Sequence, residues 1–272
     1  MGTSKSSPTP SGGPWQPLKT ELTNSLNSGN PIDANRVVSQ TLAGFGGLAP
    51  SGRTAASGGS GGGGGTGAGA QGGGSSGRAA SSRASVGRAV ASLSGFGSAI
   101  GSGALSAGLN ALGLAALQGK SAAEVVGRVA EQIASTSTGQ QRELMRDALQ
   151  GAILEAAQAT NGTYDDLDAG LQSFIADKGP EGLVELFLSE FAANLVWYGI
   201  EHHIDLKSQS LDDASALRSG VRVACDNKVR DMLNTERANG SFASVDWFGS
   251  AGQTRAQTIA TQMERELRGL NQ

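Results

Sequence analysis

The chain has 272 residues, a formal net charge of −3 at pH 7, 42 glycines, 7 prolines and only 4% aromatic residues. This composition excludes one hydrophobic core extending over the whole chain, because glycine-rich segments bury too little apolar area to offset the entropy of ordering them. The one cysteine, Cys225, excludes an intrachain disulfide and makes a reducing, cytoplasmic compartment the expected location.

Residues 1–50 predict an extended tail that contains two weak helices. Four prolines within the first 17 residues oppose helix formation and favour extended backbone. Trp15 stands among them, either as a short binding anchor for a partner or as an inert side chain. Leucines spaced four apart predict a helix over about 17–26, and an aspartate cap predicts another over about 33–42. Neither is long enough to be stable alone, so both are candidates for folding on a partner.

Residues 51–85 predict a flexible linker. Fourteen of the 26 positions from 52 to 77 are glycine, and serine, alanine and threonine fill much of the rest. The linker lacks the Gly-x-x-x-x-Gly-Lys-Ser/Thr pattern of a phosphate-binding loop. Residues 1–90 hold seven basic and two acidic residues. This balance suits contact with an anionic surface or with the acidic remainder of the chain, or it only keeps the tail in solution.

Residues 86–270 predict an all-α bundle of five to seven helices. Apolar residues recur there at helical spacing, and no β-branched run alternates over the length of a strand. The helix over about 181–206 is apolar on nearly all sides, which predicts a central position. The other clear helices open at Ser121 or span about 139–159, 163–179, 211–235 and 253–270.

Residues 89–117 leave two interpretations open. Leucine, isoleucine and phenylalanine recur there at helical spacing, but several glycines interrupt them and each lowers helix stability. The segment is either a glycine-rich helix packed closely against its neighbours or a region that becomes ordered only in a complex.

The ionisable side chains do not predict an enzyme. The two histidines, His202 and His203, are adjacent and point about 100° apart on a helix, so with neighbouring carboxylates they supply at most two local metal ligands. A catalytic zinc needs three, and the polar end of a buried helix explains the pair better. Cys225 lies in an apolar helical stripe, which favours an inert thiol over a Cys–His dyad. We therefore predict no catalytic residue, no metal and no cofactor.

Two short motifs suggest an alternative function. Trp247-Phe-Gly249 and Tyr164-Asp-Asp-Leu-Asp168 are similar to the Trp-x-Gly and Tyr-x-x-x-Asp motifs of type VII secretion substrates. In that family the Trp-x-Gly turn comes first, within a short hairpin. Here the order is reversed and more than seventy residues intervene. The two motifs leave a secreted helical protein as an alternative, although their order and spacing differ from those of that family.

The N-terminus offers a reactive group. Residues 1–6 match the pattern for N-myristoylation, which applies in eukaryotic cells. Independently of that pattern, a glycine at position 2 permits removal of Met1. The unhindered α-amine that remains is partly uncharged, and therefore nucleophilic, at neutral pH.

Three features of the chain are distinctive together. They are an Arg/Gly/Ala-rich middle behind a proline and glycine stretch, a helical end that contains Gly119-Lys-Ser-Ala-Ala-Glu124, and the opening Gly2-Thr3-Ser4-Lys5-Ser6-Ser7. They resemble the QatB family, the small component of the four-gene Qat anti-phage defence operon of bacteria. The resemblance is close over the first six or seven residues and covers the rest of the chain by layout.

The resemblance implies three partners: an ATPase (QatA), a QueC-like enzyme (QatC) and a TatD-like nuclease (QatD). QueC-type enzymes activate the carboxylate of a 7-deazaguanine with ATP and couple it to ammonia, and a glycine amine is the closest protein equivalent of ammonia. Gly2 is thus the expected substrate or ligand of the QueC-like enzyme. The helical domain is expected to dock partners, without membrane or nucleic-acid contacts. The expected partner-binding residues are Gly2, Thr3, Ser4, Lys5, Ser6, Ser7 and Trp15. The rival interpretation is a structural scaffold with an inert tail.

Overall fold

The computed structural model describes residues 15–28, 30–50, 74–158, 162–207, 211–240, 242 and 245–270. Within these ranges the chain forms helices and no strand, which confirms the predicted all-α class. A short 3-10 turn covers Ala115–Leu117. The helices are α1 (Trp15–Ser28), α2 (Ala34–Phe45), α3 (Gly74–Ala111), α4 (Ala122–Ala134), α5 (Gly139–Ala157), α6 (Tyr164–Lys178), α7 (Pro180–Lys207), α8 (Leu211–Ala238) and α9 (Ser250–Arg268).

Helix α7 lies at the centre of the bundle, as its all-round apolar sequence predicts. It packs against α1, α2, α3, α5, α6 and α8. Phe187, Phe191 and Leu195 are fully buried on it. By length and composition α7 is apolar enough to cross a membrane, but 67% of its most apolar window is buried inside the protein. That burial is the pattern of a core helix.

The two N-terminal helices, α1 and α2, cover the weak helices predicted over about 17–26 and 33–42, but they pack into the core and are not part of an extended tail. Helix α1 buries Trp15, Leu18 and Leu22 on one face, and α2 packs against α7, α8 and α9. Pro17 is compatible with α1 because it lies in the first turn, where a backbone N–H has no helical acceptor. Neither helix needs to be stable alone, since burial of its apolar face in the shared core supplies the stability.

Helix α3 decides between the two interpretations of residues 89–117. The segment folds within the chain itself, as a glycine-rich helix packed closely against its neighbours. Its glycines allow neighbouring elements to approach the backbone. A Cβ atom at Gly95 would lie 2.5 Å from the ring of Phe248, and one at Gly97 would lie 3.0 Å from Pro180. The helix also begins at Gly74, so residues 74–85 are helical and not part of the predicted linker. The remainder of that linker, residues 51–73, lies outside the described residues.

A break in α3 is held by a carboxylate from another helix. Gly103 and Ala104 leave helical geometry, and Ala104 has φ 67° and ψ 178°, a region that is almost restricted to glycine. The backbone N–H of Leu105 then donates to Oδ1 of Asp168 in α6 over 2.8 Å. Asp168 therefore caps the helical segment that follows the break.

We expect Ala104→Gly to raise the free energy of unfolding by about 1 kcal/mol, because glycine adopts this backbone conformation without strain. Urea denaturation measures the change. The matched control is Ala99→Gly, in the regular part of the same helix, which should lower the free energy of unfolding by about 1 kcal/mol. A loss of stability in both variants would show that Ala104 is not strained.

Candidate functional site

The predicted partner-binding segment lies ahead of α1. Gly2, Thr3, Ser4, Lys5, Ser6 and Ser7 all fall outside the described residues. The first described residue is Trp15, so the geometry at Trp15 defines where this segment joins the helical body.

Trp15 is buried in the core, with 3% of its surface exposed. Its ring meets that of Phe45 edge to face, with the centroids 5.0 Å apart. Gly44 lies directly beneath the indole, where an added Cβ would come within 2.6 Å of the ring. This placement differs from an exposed binding anchor. Trp15 is three positions before Leu18 and extends the apolar stripe of α1, a spacing that its proline neighbours obscured in the sequence.

Helix α1 is fastened to α7 through His203. The Nε2–H group of His203 donates to the carbonyl oxygen of Lys19 over 3.2 Å, and Nε2 lies 3.0 Å from the hydroxyl oxygen of Thr23. An ion pair between Glu21 and Arg36, 3.0 Å long, ties α1 to α2. Packing of Trp15 and these polar contacts give the N-terminal segment a fixed attachment point on the body.

The attachment point sets how far Gly2 can reach. Gly2 precedes Trp15 by thirteen positions. At about 3.3–3.6 Å per residue, a fully extended chain of that length spans at most about 45 Å. This upper limit exceeds the length of a 20-residue helix, about 30 Å, which is about the diameter of a small domain.

The contact between α1 and α7 is expected to depend on pH. Burial is the main cause that lowers the pKa of His203, and the charges of Lys19, Lys207 and His202 lower it further, against the hydrogen bond to the carbonyl of Lys19. The folded protein therefore favours the neutral imidazole. Its contribution to stability is complete above the unfolded-state pKa of about 6.5 and is lost as the pH falls through the lowered folded-state value.

We predict that the parent loses more stability than His203→Gln when the pH is lowered from about 7.5 to 5, a window that includes the unfolded-state pKa of histidine. The two proteins differ only at position 203, so the difference between their pH dependences isolates His203. Urea denaturation at each pH measures the free energy of unfolding. Equal pH dependence of parent and His203→Gln would contradict the assignment.

The other candidate groups from the sequence are Cys225, possible metal ligands and the two secretion-like motifs. Burial raises the pKa of the Cys225 thiol to about 12, so the thiol is unreactive at neutral pH. Among the described residues, no group of three His, Cys, Asp or Glu side chains is placed to hold a metal. The two secretion-like motifs lie on separate elements. Tyr164 begins α6, and Trp247 precedes α9.

A buried carboxylate joins three parts of the body. Glu264 in α9 is 4% exposed. It pairs with Arg83 of α3 and with Arg268 one turn further along α9, each over 3.2 Å. Gly47 packs against the same carboxylate. The spacing of Glu264 and Arg268 is visible in the sequence, but no sequence pattern pairs Glu264 with Arg83, which is 181 positions away.

Comparison with protein-family models identifies a family for this chain. The family model described as the Qat anti-phage system associated protein QatB matches residues 73–247, more than half of the chain. The matched range begins at α3 and ends just before α9, so α1, α2 and α9 lie outside it. No curated protein and no solved structure matches the chain.

Proposed function

The chain belongs to the QatB family of the Qat anti-phage system, and we propose that it acts there as a non-enzymatic subunit of a cytoplasmic defence complex. In this proposal Gly2, exposed after removal of Met1, is the substrate or ligand of a QueC-like partner enzyme (QatC). The helical body docks onto partners encoded in the same operon, which include an ATPase (QatA) and a TatD-like nuclease (QatD).

The observation that carries the proposal is the burial of Trp15. Because Trp15 is 3% exposed and α1 is fastened to α7, the residues ahead of Trp15 join the body at a fixed point. Thr3, Ser4, Ser6 and Ser7 are small, and no acidic residue precedes Glu21. Apart from Lys5, the residues from Thr3 to Ser7 are small and polar and fit a narrow pocket more readily than bulky side chains, which supports delivery of Gly2 to an enzyme.

The proposed reaction joins Gly2 to a 7-deazaguanine through an amide bond. The partner enzyme activates the carboxylate of the deazaguanine with ATP. The uncharged amine nitrogen of Gly2 attacks the activated carbonyl carbon and forms the C–N bond. The activating group leaves with the electrons of the broken C–O bond, and the nitrogen releases one proton to solvent. Glycine suits this role since its α-carbon carries only hydrogens beside the reacting nitrogen.

Intact mass spectrometry tests this proposal. The full chain is purified from cells that express the whole operon and from matched cells in which the gene for the QueC-like enzyme is deleted. We expect an added mass on the N-terminal peptide in the first sample and only loss of Met1 in the second. Loss of Met1 alone in both samples would favour the rival interpretation, a scaffold with an inert tail.

A further inference from the structure

A polar groove runs along the surface between α3 and α9. Its volume is about 540 Å³, and none of the described side chains that line it is acidic. Arginine, threonine and glutamine supply almost the whole lining, and the residues that matter most are Arg88, Thr254, Gln257, Thr258, Thr261 and Arg265. The chain from residue 91 onwards carries fourteen basic and twenty-two acidic residues, so this groove is a locally basic site on an acidic body.

The floor of the groove is fixed by close packing of the two helices. A Cβ atom at Gly87 of α3 would lie 3.0 Å from the Cα atom of Gln257 in α9. At one end, Arg88 donates to the hydroxyl of Ser85 over 3.2 Å and to the carbonyl oxygen of Thr136 over 3.3 Å. At the other end, the side chain of Arg265 is 74% exposed and pairs with Glu266 only at 4.0 Å.

The hydrogen-bonding groups of the groove match a peptide backbone. The hydroxyls of Thr254, Thr258 and Thr261 donate to carbonyl oxygens one turn earlier in α9, over 2.9, 3.1 and 2.8 Å. Their protons are therefore used inside the helix, and their oxygens remain as acceptors for an incoming N–H group. Glutamine amides supply both donors and acceptors. An extended peptide presents N–H and C=O groups alternately and satisfies both kinds.

The two arginines set the charge pattern of the ligand. Helices α3 and α9 are antiparallel here, because Gly87 meets Gln257 while Arg83 meets Glu264. Arg88 thus lies near the level of residue 256 and Arg265 about nine residues further along, roughly 13 Å at 1.5 Å per residue. In an extended segment that rises about 3.3 Å per residue, this distance separates side chains four positions apart, which point to the same face.

We propose that this groove binds an extended acidic segment of a partner protein, with two carboxylates four residues apart contacting Arg88 and Arg265. The inference deepens the proposed docking role of the helical body and is independent of the chemistry at Gly2. Its test uses the isolated full chain, whereas the mass of the N-terminal peptide tests the modification. Failure of the groove proposal is therefore distinguishable from failure of the proposed modification of Gly2.

Cysteine footprinting tests the groove directly. The natural Cys225 is buried and its raised pKa keeps it unreactive, so a Thr258→Cys variant carries one reactive thiol in the groove. Ala123→Cys, at an exposed position on α4, is the matched control. The probe is the capped peptide Glu-Gly-Ser-Gly-Glu, and the readout is the rate of maleimide labelling. We expect this peptide to slow labelling at position 258 and not at 123.

Variants with altered charge then test whether the two arginines recognise the glutamates of the peptide. Replacing both probe glutamates by glutamine, or introducing Arg88→Gln or Arg265→Gln, should weaken protection at least about tenfold through loss of a charge-assisted contact. Arg128→Gln, at an exposed position on α4, should leave protection unchanged.

Three outcomes would overturn the proposal. Equal protection by inorganic phosphate or by an oligothymidine would indicate a general anion or nucleic-acid site. Protection of position 258 in the free chain would mean that another segment of this chain, or a second copy at high concentration, already covers the groove. Equal protection by the glutamine peptide would remove the role of the two arginines.

Discussion

Phe191→Ala is expected to lower the free energy of unfolding by about 3–5 kcal/mol, one of the largest effects of any single substitution in this chain. Phe191 is fully buried on α7, and its ring lies beside that of Phe187 with the centroids 5.9 Å apart. Truncation removes buried apolar area and leaves a cavity that the tightly packed helices around α7 cannot fill. Urea denaturation followed by far-UV circular dichroism measures the loss.

Leu206→Ala provides the matched control on the same helix. Leu206 is 67% exposed near the end of α7, so its truncation should change the free energy of unfolding by less than about 0.5 kcal/mol. Similar losses for both variants would mean that α7 is not the central element of the core. Because Phe191 is far along the chain from the N-terminus, Phe191→Ala that remains folded at low temperature should still carry any modification of Gly2.

The helices between residues 121 and 207 could be predicted from sequence because local chemistry specifies their ends. The hydroxyl of Ser121 accepts from the N–H of Glu124 over 3.3 Å, as the capping box predicts. The hydroxyl of Thr163 accepts from the N–H of Asp166 over 3.2 Å at the start of α6. Gly179, with a positive φ, ends that helix. Each of these determinants lies within four residues of the boundary that it sets.

The packing of the N-terminal half could not be predicted in the same way, because its stability comes from distant contacts, although the Asp33 cap of α2 is local and was predicted. Glycine lowers the intrinsic stability of α3, but Gly95 receives the ring of Phe248 from a segment more than 150 positions later. Trp15 likewise depends on Gly44 and Phe45 of α2. Propensity and periodicity carry no information on such partners, and for this reason an ordered helix was hard to tell from one that folds only in a complex.

One part of the candidate site could be predicted from the sequence and another could not. The reactivity of Gly2 follows from its position and from the chemistry of an amine, both of which the sequence states. The groove requires Arg88 and Arg265 to lie on adjacent helices, and nothing near either residue in the sequence predicts that. The strained Ala104 and its cap Asp168 are a similar case, since a single alanine in a glycine-rich segment gives no sign of an unusual backbone conformation.

Substitutions at Gly2 are expected to reduce phage protection by an amount that increases with the size of the new side chain. A partner that acylates or binds the α-amine must admit the α-carbon beside its reaction centre, where glycine presents only hydrogens. Gly2→Ala still permits removal of Met1 and keeps an amine of similar basicity, but it adds a methyl group at the crowded point. Gly2→Val adds more bulk, and Gly2→Leu also tends to retain Met1. Loss of modification and of protection should therefore increase from Ala to Val to Leu.

Phage plating at matched expression levels measures this order, with the parent and an empty vector as the two limits. Gly2→Leu should plate close to the empty vector, while its urea denaturation should match that of the parent, because Gly2 lies thirteen positions ahead of Trp15, the first described residue. Equal stability separates loss of the N-terminal amine from loss of the fold. Full protection by Gly2→Leu would show that defence does not require the N-terminal glycine amine. The role of the chain would then rest on its helical body alone.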